Sequence, residues 1–153
     1  LFGDDGFGPG VARRLAWHPG LPRSAVVMDV GTGVRQVLFN IVRNACEAMP
    51  EGGDLHVRSS RLAAGRGDGH VRVAVEDTGP GIPERLRANI FKPFFTTKRQ
   101  GNGLGLAISA RIVAEHGGHI GYRCPPGGGT VFAITLQQAR PGPVERPVTE
   151  HAA

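Results

Sequence analysis

The sequence predicts an α+β protein, a two-layer sandwich with helices on one face of a largely antiparallel sheet. Three observations predict it. Apolar residues recur at helical spacing in 34–49 and again in 104–116. Apolar and polar residues alternate in 55–63, 70–77, 119–124 and 130–137. Two Gly-rich turns, "AGRGDG" and "PPGGG", join those alternating runs in pairs, as hairpins require.

In chain order, residues 1–25 are broken by Gly and Pro and read as an irregular lead-in, the end of a preceding domain. "AVVMDV", 25–30, is a short strand. The first helix carries Val34, Val37, Leu38, Ile41, Val42, Ala45, Ala48 and Met49 on one stripe, and "PEGGD" stops it. Two strands follow, then a short helix after Pro83 and an irregular stretch, "FKPFFTTKRQGNG". The second long helix ends at Gly117–Gly118, and a hairpin closes the fold. The expected total is about five strands, mixed but mostly antiparallel, covered by about three helices. Residues 26–138 form the domain, and 139–153, Pro-rich and polar, are expected to be a disordered tail.

With 153 residues, 40% of them hydrophobic and 20% charged, the chain can bury a core and has the balance of a soluble globular domain. No apolar run reaches the roughly 18 residues of a membrane span, and no signal peptide is present, so no membrane contact by this domain is expected. Because it begins at Leu1 rather than Met, the chain is expected to be part of a longer protein that holds any sensor or membrane portion. The formal charge of +5 comes almost wholly from scattered arginines, with Lys92 and Lys98 the lysines. No dense basic run with interleaved aromatics marks a nucleic-acid surface, although phosphates would gain from the field. Cys46 and Cys124 stand apart without zinc-ligand spacing, which suits a reducing cytoplasm, and Cys46 suits helix packing.

Four features carry possible chemistry. Gln36, Asn40, Asn44 and Glu47 form a polar ridge at the margin of the first helix's apolar stripe. Such amides either bond neighbouring backbone and water or edge a cleft, where an Asn oxygen is a good hard ligand for Mg²⁺. In "VEDTGPGI", Asp77 ends a strand, and Gly79 and Gly81 admit close approach to the backbone. The carboxylate either makes an Asx turn or accepts from an exocyclic amine such as adenine's, against which guanine's oxygen would be repelled. "GNGLGL", 101–106, opens a helix and is either a flexible loop or a phosphate cradle; it is neither a Walker A nor a Rossmann fingerprint. "FKPFFTTK", 91–98, folds back on the protein with Phe91 and Phe94 filling the core margin, or brings Thr96, Thr97 and Lys98 to phosphates.

The order and spacing of these features resemble the ATP-binding catalytic domain of bacterial sensor histidine kinases, in the GHKL (Bergerat-fold) superfamily. "QVLFNIVRNACEAM" looks like the N box, "DTGPGI" the G1 box, "FKPFFTTK" the F box, "GNGLGLAIS" the G2 box and "GGGTVF" the last glycine motif. The match covers about 34–136, and its wording is similar to kinases of the nitrogen-regulation and oxygen-sensing type.

The resemblance implies ATP or ADP with Mg²⁺ as cofactors and Asn44 as the metal ligand. It implies Asn40, Asn44 and Lys98 as the catalytic residues, with Asn40 near the phosphates. Asp77 would hold the adenine amine with Thr130, and Gly79, Gly81 and Ile82 would line the base pocket. Residues 96–106 would be the lid, bringing Thr96, Thr97, Lys98, Gly101, Gly103, Leu104, Gly105 and Leu106 to the triphosphate. Arg43 would add positive charge. An amide at position 40 cannot act as a base for water as the hydrolases' glutamate does. The resemblance therefore implies a kinase part that passes the γ-phosphate to a histidine on a separate dimerisation domain, with a response regulator downstream. None of His18, His116 or His119 stands on a suitable helix to be that acceptor, so little autophosphorylation is expected. A stand-alone ATPase and a degenerate nucleotide-binding module are the alternatives.

Overall fold

The structure is a computed structural model and describes residues 14–19, 32–62, 69–98 and 101–137. One five-stranded sheet is built from β1 (Arg14–Pro19), β2 (Asp54–Leu62), β3 (His70–Asp77), β4 (His119–Arg123) and β5 (Thr130–Gln137), in the order β1-β2-β3-β5-β4. β1 runs parallel to β2, and every other neighbour pair is antiparallel. The helices are α1 (Thr32–Glu47), α2 (Glu84–Arg87) and α3 (Gly105–Glu115). The expected α+β class, mixed sheet and approximate element counts therefore hold.

One element corrects the sequence reading. Residues 14–19, assigned above to an irregular lead-in, form edge strand β1, in register with β2 from Arg14↔Asp54 to Pro19↔Ser59. The segment "RLAWHP" lacks an alternating pattern, and its order comes from a ladder to residues about forty positions away. Pro19 is tolerated because it ends an edge strand. "AVVMDV" and the tail 139–153 lie outside the described residues.

Burial follows periodicity. On β3 the buried residues are Val71, Val73, Val75 and Asp77, every second position. Their partners across the ladder are Leu136, Ile134, Phe132 and Thr130, all buried on β5. This face meets Val34, Val37, Ile41 and Ala45 of α1 and Val113 of α3 in one core, with Cys46 inside it as packing. α3 stops in a Schellman turn, in which Gly118 N–H reaches Val113 O at 2.9 Å and Gly117 N–H reaches Ala114 O at 2.9 Å. Among the described residues, no helix is long and apolar enough to cross a membrane.

Ile134 sits at 0% exposure in the middle of that core. Truncation to Ala removes about 2–5 kcal/mol of stability by transfer and cavity costs. Urea unfolding should show a lowered midpoint with an unchanged slope.

Candidate functional site

The alternation that fills the core delivers a charge at its end. Asp77 continues the inward series of β3 and is 5% exposed. Its Oδ1 accepts from Gly79 N–H at 2.9 Å and from Thr130 N–H at 3.1 Å. Both bonds fall on Oδ1, and Asp77 lines the cavity described below. Burial pushes the Asp77 carboxyl above its ordinary range, against the opposing pull of those two N–H donors, and Glu76 adds to the upward push.

The turn before β5 is docked on this strand end. Gly129 adopts φ 81°, and a Cβ there would lie 2.2 Å from Asp77 O. Its N–H donates to Gly79 O at 2.7 Å. Only glycine satisfies both the dihedral and the clearance. The "DTGPGI" and "GGGTVF" motifs, about fifty residues apart in the chain, therefore form one wall.

The facing wall is α1. Asn44 is half-buried, and its Oδ1 accepts from Lys98 Nζ at 2.8 Å. Lys98 also pairs with the Glu47 carboxylate, which Arg43 approaches at 3.6 Å. These ion pairs are exposed, and such contacts contribute at most about 1 kcal/mol each, so Lys98 is held loosely. Asn40 differs from its expected place. It is 8% exposed and stands behind the cavity wall, its Nδ2 donating to Gly105 O and to Ser109 Oγ at 3.3 Å each. The helical wheel put Asn40 on the correct margin, but α3 packs over that margin.

Phe91 is partly buried and packs against Tyr122 with the rings tilted at 51° and centroids 6.1 Å apart. Phe94, in contrast to the core-filling reading, is 76% exposed at φ 64°, and Phe95 turns inward instead. Gly103 rests on this bend: at φ 66°, its Cβ would lie 2.4 Å from Phe94 C. Thr96 Oγ1 accepts from Lys98 N–H at 3.1 Å, which shapes the start of the loop. Leu104, at the N-terminal cap of α3, offers no side-chain bond to the helix, so the first-turn amides are left for another acceptor.

Between these walls lies a cavity of about 700 Å³, within the usual range for small-molecule sites. Of the residues singled out from the sequence, Arg43, Asn44, Asp77, Gly81, Ile82, Thr96, Thr97, Lys98, Gly101, Gly103, Gly105, Leu106 and Thr130 line it. Asn40, Gly79 and Leu104 do not. Sequence reasoning missed Leu86, Ile90, Phe95 and Phe132, which join Ile82 and Leu106 in the apolar part of the lining. Phe132 was detectable as the inward partner of Val75 once β3 and β5 were paired. The α2 residues had no such signal. Arg87 Nε donates to Ile82 O at 2.9 Å and Tyr122 OH to Arg87 O at 3.2 Å, fixing α2 against the mouth.

A sheet and helix layer with a buried acceptor, one helical amide and a run of glycines around one cavity is the architecture of a nucleotide-binding domain. Residues 29–140 match the model of the histidine kinase-, DNA gyrase B-, and HSP90-like ATPases, and the chain belongs to that family. Over 111 residues it is 43% identical to the sensory histidine kinase/phosphatase NtrB of Azospirillum brasilense, covering 66% of this chain and 28% of that protein. The nucleotide-free catalytic domain of the histidine kinase ThkA superposes with a TM-score of 0.70 at 38% identity, over 82% of this chain and 78% of that one. Full-length ShkA in complex with AMPPNP gives a TM-score of 0.69 at 34% identity, over 86% of this chain and 27% of that one. The chain thus spans little more than a quarter of NtrB and of full-length ShkA.

The raised Asp77 carboxyl has a stability consequence with a definite sign. Between an ordinary aspartate pKa of about 3.9 and the raised folded value, the folded state binds more protons than the unfolded state. Asp77 therefore lowers stability as pH rises through that window. Asp77→Asn keeps an oxygen for the Gly79 and Thr130 donors and removes the buried charge. The variant should melt at or above the parent's temperature near pH 7, with a flatter pH profile across the acid window.

Proposed function

We propose that this chain is the ATP-binding catalytic part of a protein-histidine kinase. In this reading it presents the γ-phosphate of ATP to a histidine on a separate dimerisation domain. The observation that carries the reading is Asp77: a buried carboxylate with one oxygen held by backbone donors and the other left at the cavity. A 6-amino group donates to that oxygen, whereas the guanine oxygen meets a like partial charge, a mismatch worth on the order of 10⁴-fold. Ile82, Leu86, Ile90 and Phe132 supply an apolar slot for the base. At the other end, the uncapped amides of α3 and the glycines of 101–105 suit a triphosphate.

Asn44 fits a Mg²⁺ site. Its carbonyl oxygen faces a cation already, the Lys98 ammonium, with the Glu47 carboxylate beside it. Among the described residues no group of three or more His, Cys, Asp or Glu side chains could hold a metal, so an ion here would take most of its ligands from phosphates and water. When bound, the ion would neutralise phosphate charge. Asn44 orients that end of the nucleotide. Lys98, freed from its weak pairs, brings its charge to the terminal phosphate, and Arg43 adds to the field. Positioning and charge neutralisation account for most of phosphoryl transfer.

NtrB, named as a histidine kinase/phosphatase, and ThkA, which has been solved in complex with the response regulator TrrA, support a downstream receiver partner of the same kind for this chain. A cytoplasmic placement accords with ATP as donor. Calorimetry tests the site. ATP and ADP should bind, and GTP should compete only at far higher concentration. Asp77→Ala should weaken ADP on the order of 10- to 100-fold with or without Mg²⁺. Asn44→Ala should abolish the Mg²⁺-dependent gain and leave Mg²⁺-free affinity intact. Equal competition by GTP would sink the reading.

A further inference from the structure

A triangle of hydrogen bonds, buried at Asn40 and Ser109 and reaching the cavity at Gly105, ties α1 to α3. Asn40 Nδ2 donates to Gly105 O and Ser109 Oγ, each at 3.3 Å. Ser109 Oγ in turn donates to Gly105 O at 2.8 Å. Ser109 is 0% exposed and has no water to substitute for a lost partner.

Proton counting gives this triangle a direction. A serine hydroxyl carries one proton, and a carbonyl carries none. The Ser109 proton is committed to Gly105 O, so Ser109 Oγ and Gly105 O both face position 40 as acceptors. The side chain at 40 must therefore donate. Asparagine does, through its NH₂, whereas an ionised aspartate or glutamate would face the Gly105 carbonyl oxygen and could be met by Ser109 only if the hydroxyl proton turned away from Gly105 O.

We infer that Ser109 is a positioning residue for the nucleotide site. By spending its single proton on Gly105, it obliges Asn40 to present its amide nitrogen. The pair then pins the first residue of α3 to α1. Gly105 lines the cavity and Asn44 lies one helical turn beyond Asn40, so the triangle holds the phosphate-facing amides and the metal-facing oxygen in one frame. The inference rests on the nucleotide reading of the cavity for its purpose, but not for its geometry. It also supplies a second reason for an amide at position 40, independent of suppressed hydrolysis: the neighbourhood accepts only a donor.

The test uses the full chain with Asn40→Asp, Ser109→Ala and the double substitution. Two readouts are compared with the parent at each pH from about 5.5 to 8.5: hydrogen exchange at the bonded α3 amides 108–113 without nucleotide, and MgADP affinity. Asn40→Asp should exchange faster and bind more weakly at high pH. Both should recover toward parent values as pH falls, by up to about tenfold per pH unit, because a protonated carboxyl regains a donor. Ser109→Ala should speed exchange and weaken binding several-fold with no added pH dependence. In the double variant the pH dependence should shrink, since one of the two acceptors is gone. If Asn40→Asp proves too unstable to bind at high pH, its urea midpoint should show the same recovery on acidification, and the absence of recovery overturns the inference. Parent-like exchange in Ser109→Ala, or a pH-independent Asn40→Asp defect, also overturns it. Exchange changes without nucleotide binding in the parent would instead overturn the nucleotide reading alone.

Discussion

Everything at this site depends on a carboxylate held where a strand's core-facing series would place another valine. Asp77 occupies the inward position after Val71, Val73 and Val75, and its burial raises the cost of its charge. Two backbone N–H groups offset part of that cost on one oxygen. The fold thus stores an unfavourable charge at the end of its most regular strand. The Asp77 backbone is fixed on both sides: β2 and β5 flank it, and the Gly129 turn closes over it.

The opposite side of the cavity is held by weaker contacts. Lys98 is tied by exposed bonds to Asn44 and Glu47, contacts of the weakest energetic class in proteins. The glycines of 101–105 and the left-handed Phe94 shape the loop between the F-box bend and α3. Beside that loop lies the Asn40–Gly105–Ser109 triangle, with the Asn40–Ser109 bond buried and the two bonds to Gly105 O partly so. Gly105 is tied to α1 through the Asn40 amide. In the proposed reading, base selection falls to the sheet and α2, and phosphate handling to the glycines before α3.

The sequence made most of this legible wherever the cause is local. Alternation revealed β3 and β5, and once paired they place Thr130 opposite Asp77 without further information. The α1 stripe located its buried face and put Asn40 and Asn44 on one margin. What the sequence hid was non-local. β1 has no period of its own and is ordered by its ladder to β2. A helical wheel shows that Asn40 is marginal, but not that α3 will cover it. Ser109 reads as an ordinary small helix residue until the packing brings it to Asn40. Phe94 and Phe95 are chemically equal neighbours, and only the backbone bend under Gly103 decides which one faces water.

Backbone clearances couple the motifs to one another. A side chain on Gly129 would strike Asp77 O, and one on Gly103 would strike the Phe94 carbonyl carbon. The last glycine motif is thus fitted to the G1 box, and the G2 box to the F box, through main-chain atoms present in every residue type. That fitting leaves the neighbouring side chains open to change without moving either joint. The amide at position 40 is different, since its partners are a carbonyl and a committed hydroxyl that constrain proton donation rather than size. Shape ties the motifs together at two joints and hydrogen-bond polarity at the third, and the cavity is the space those three joints leave.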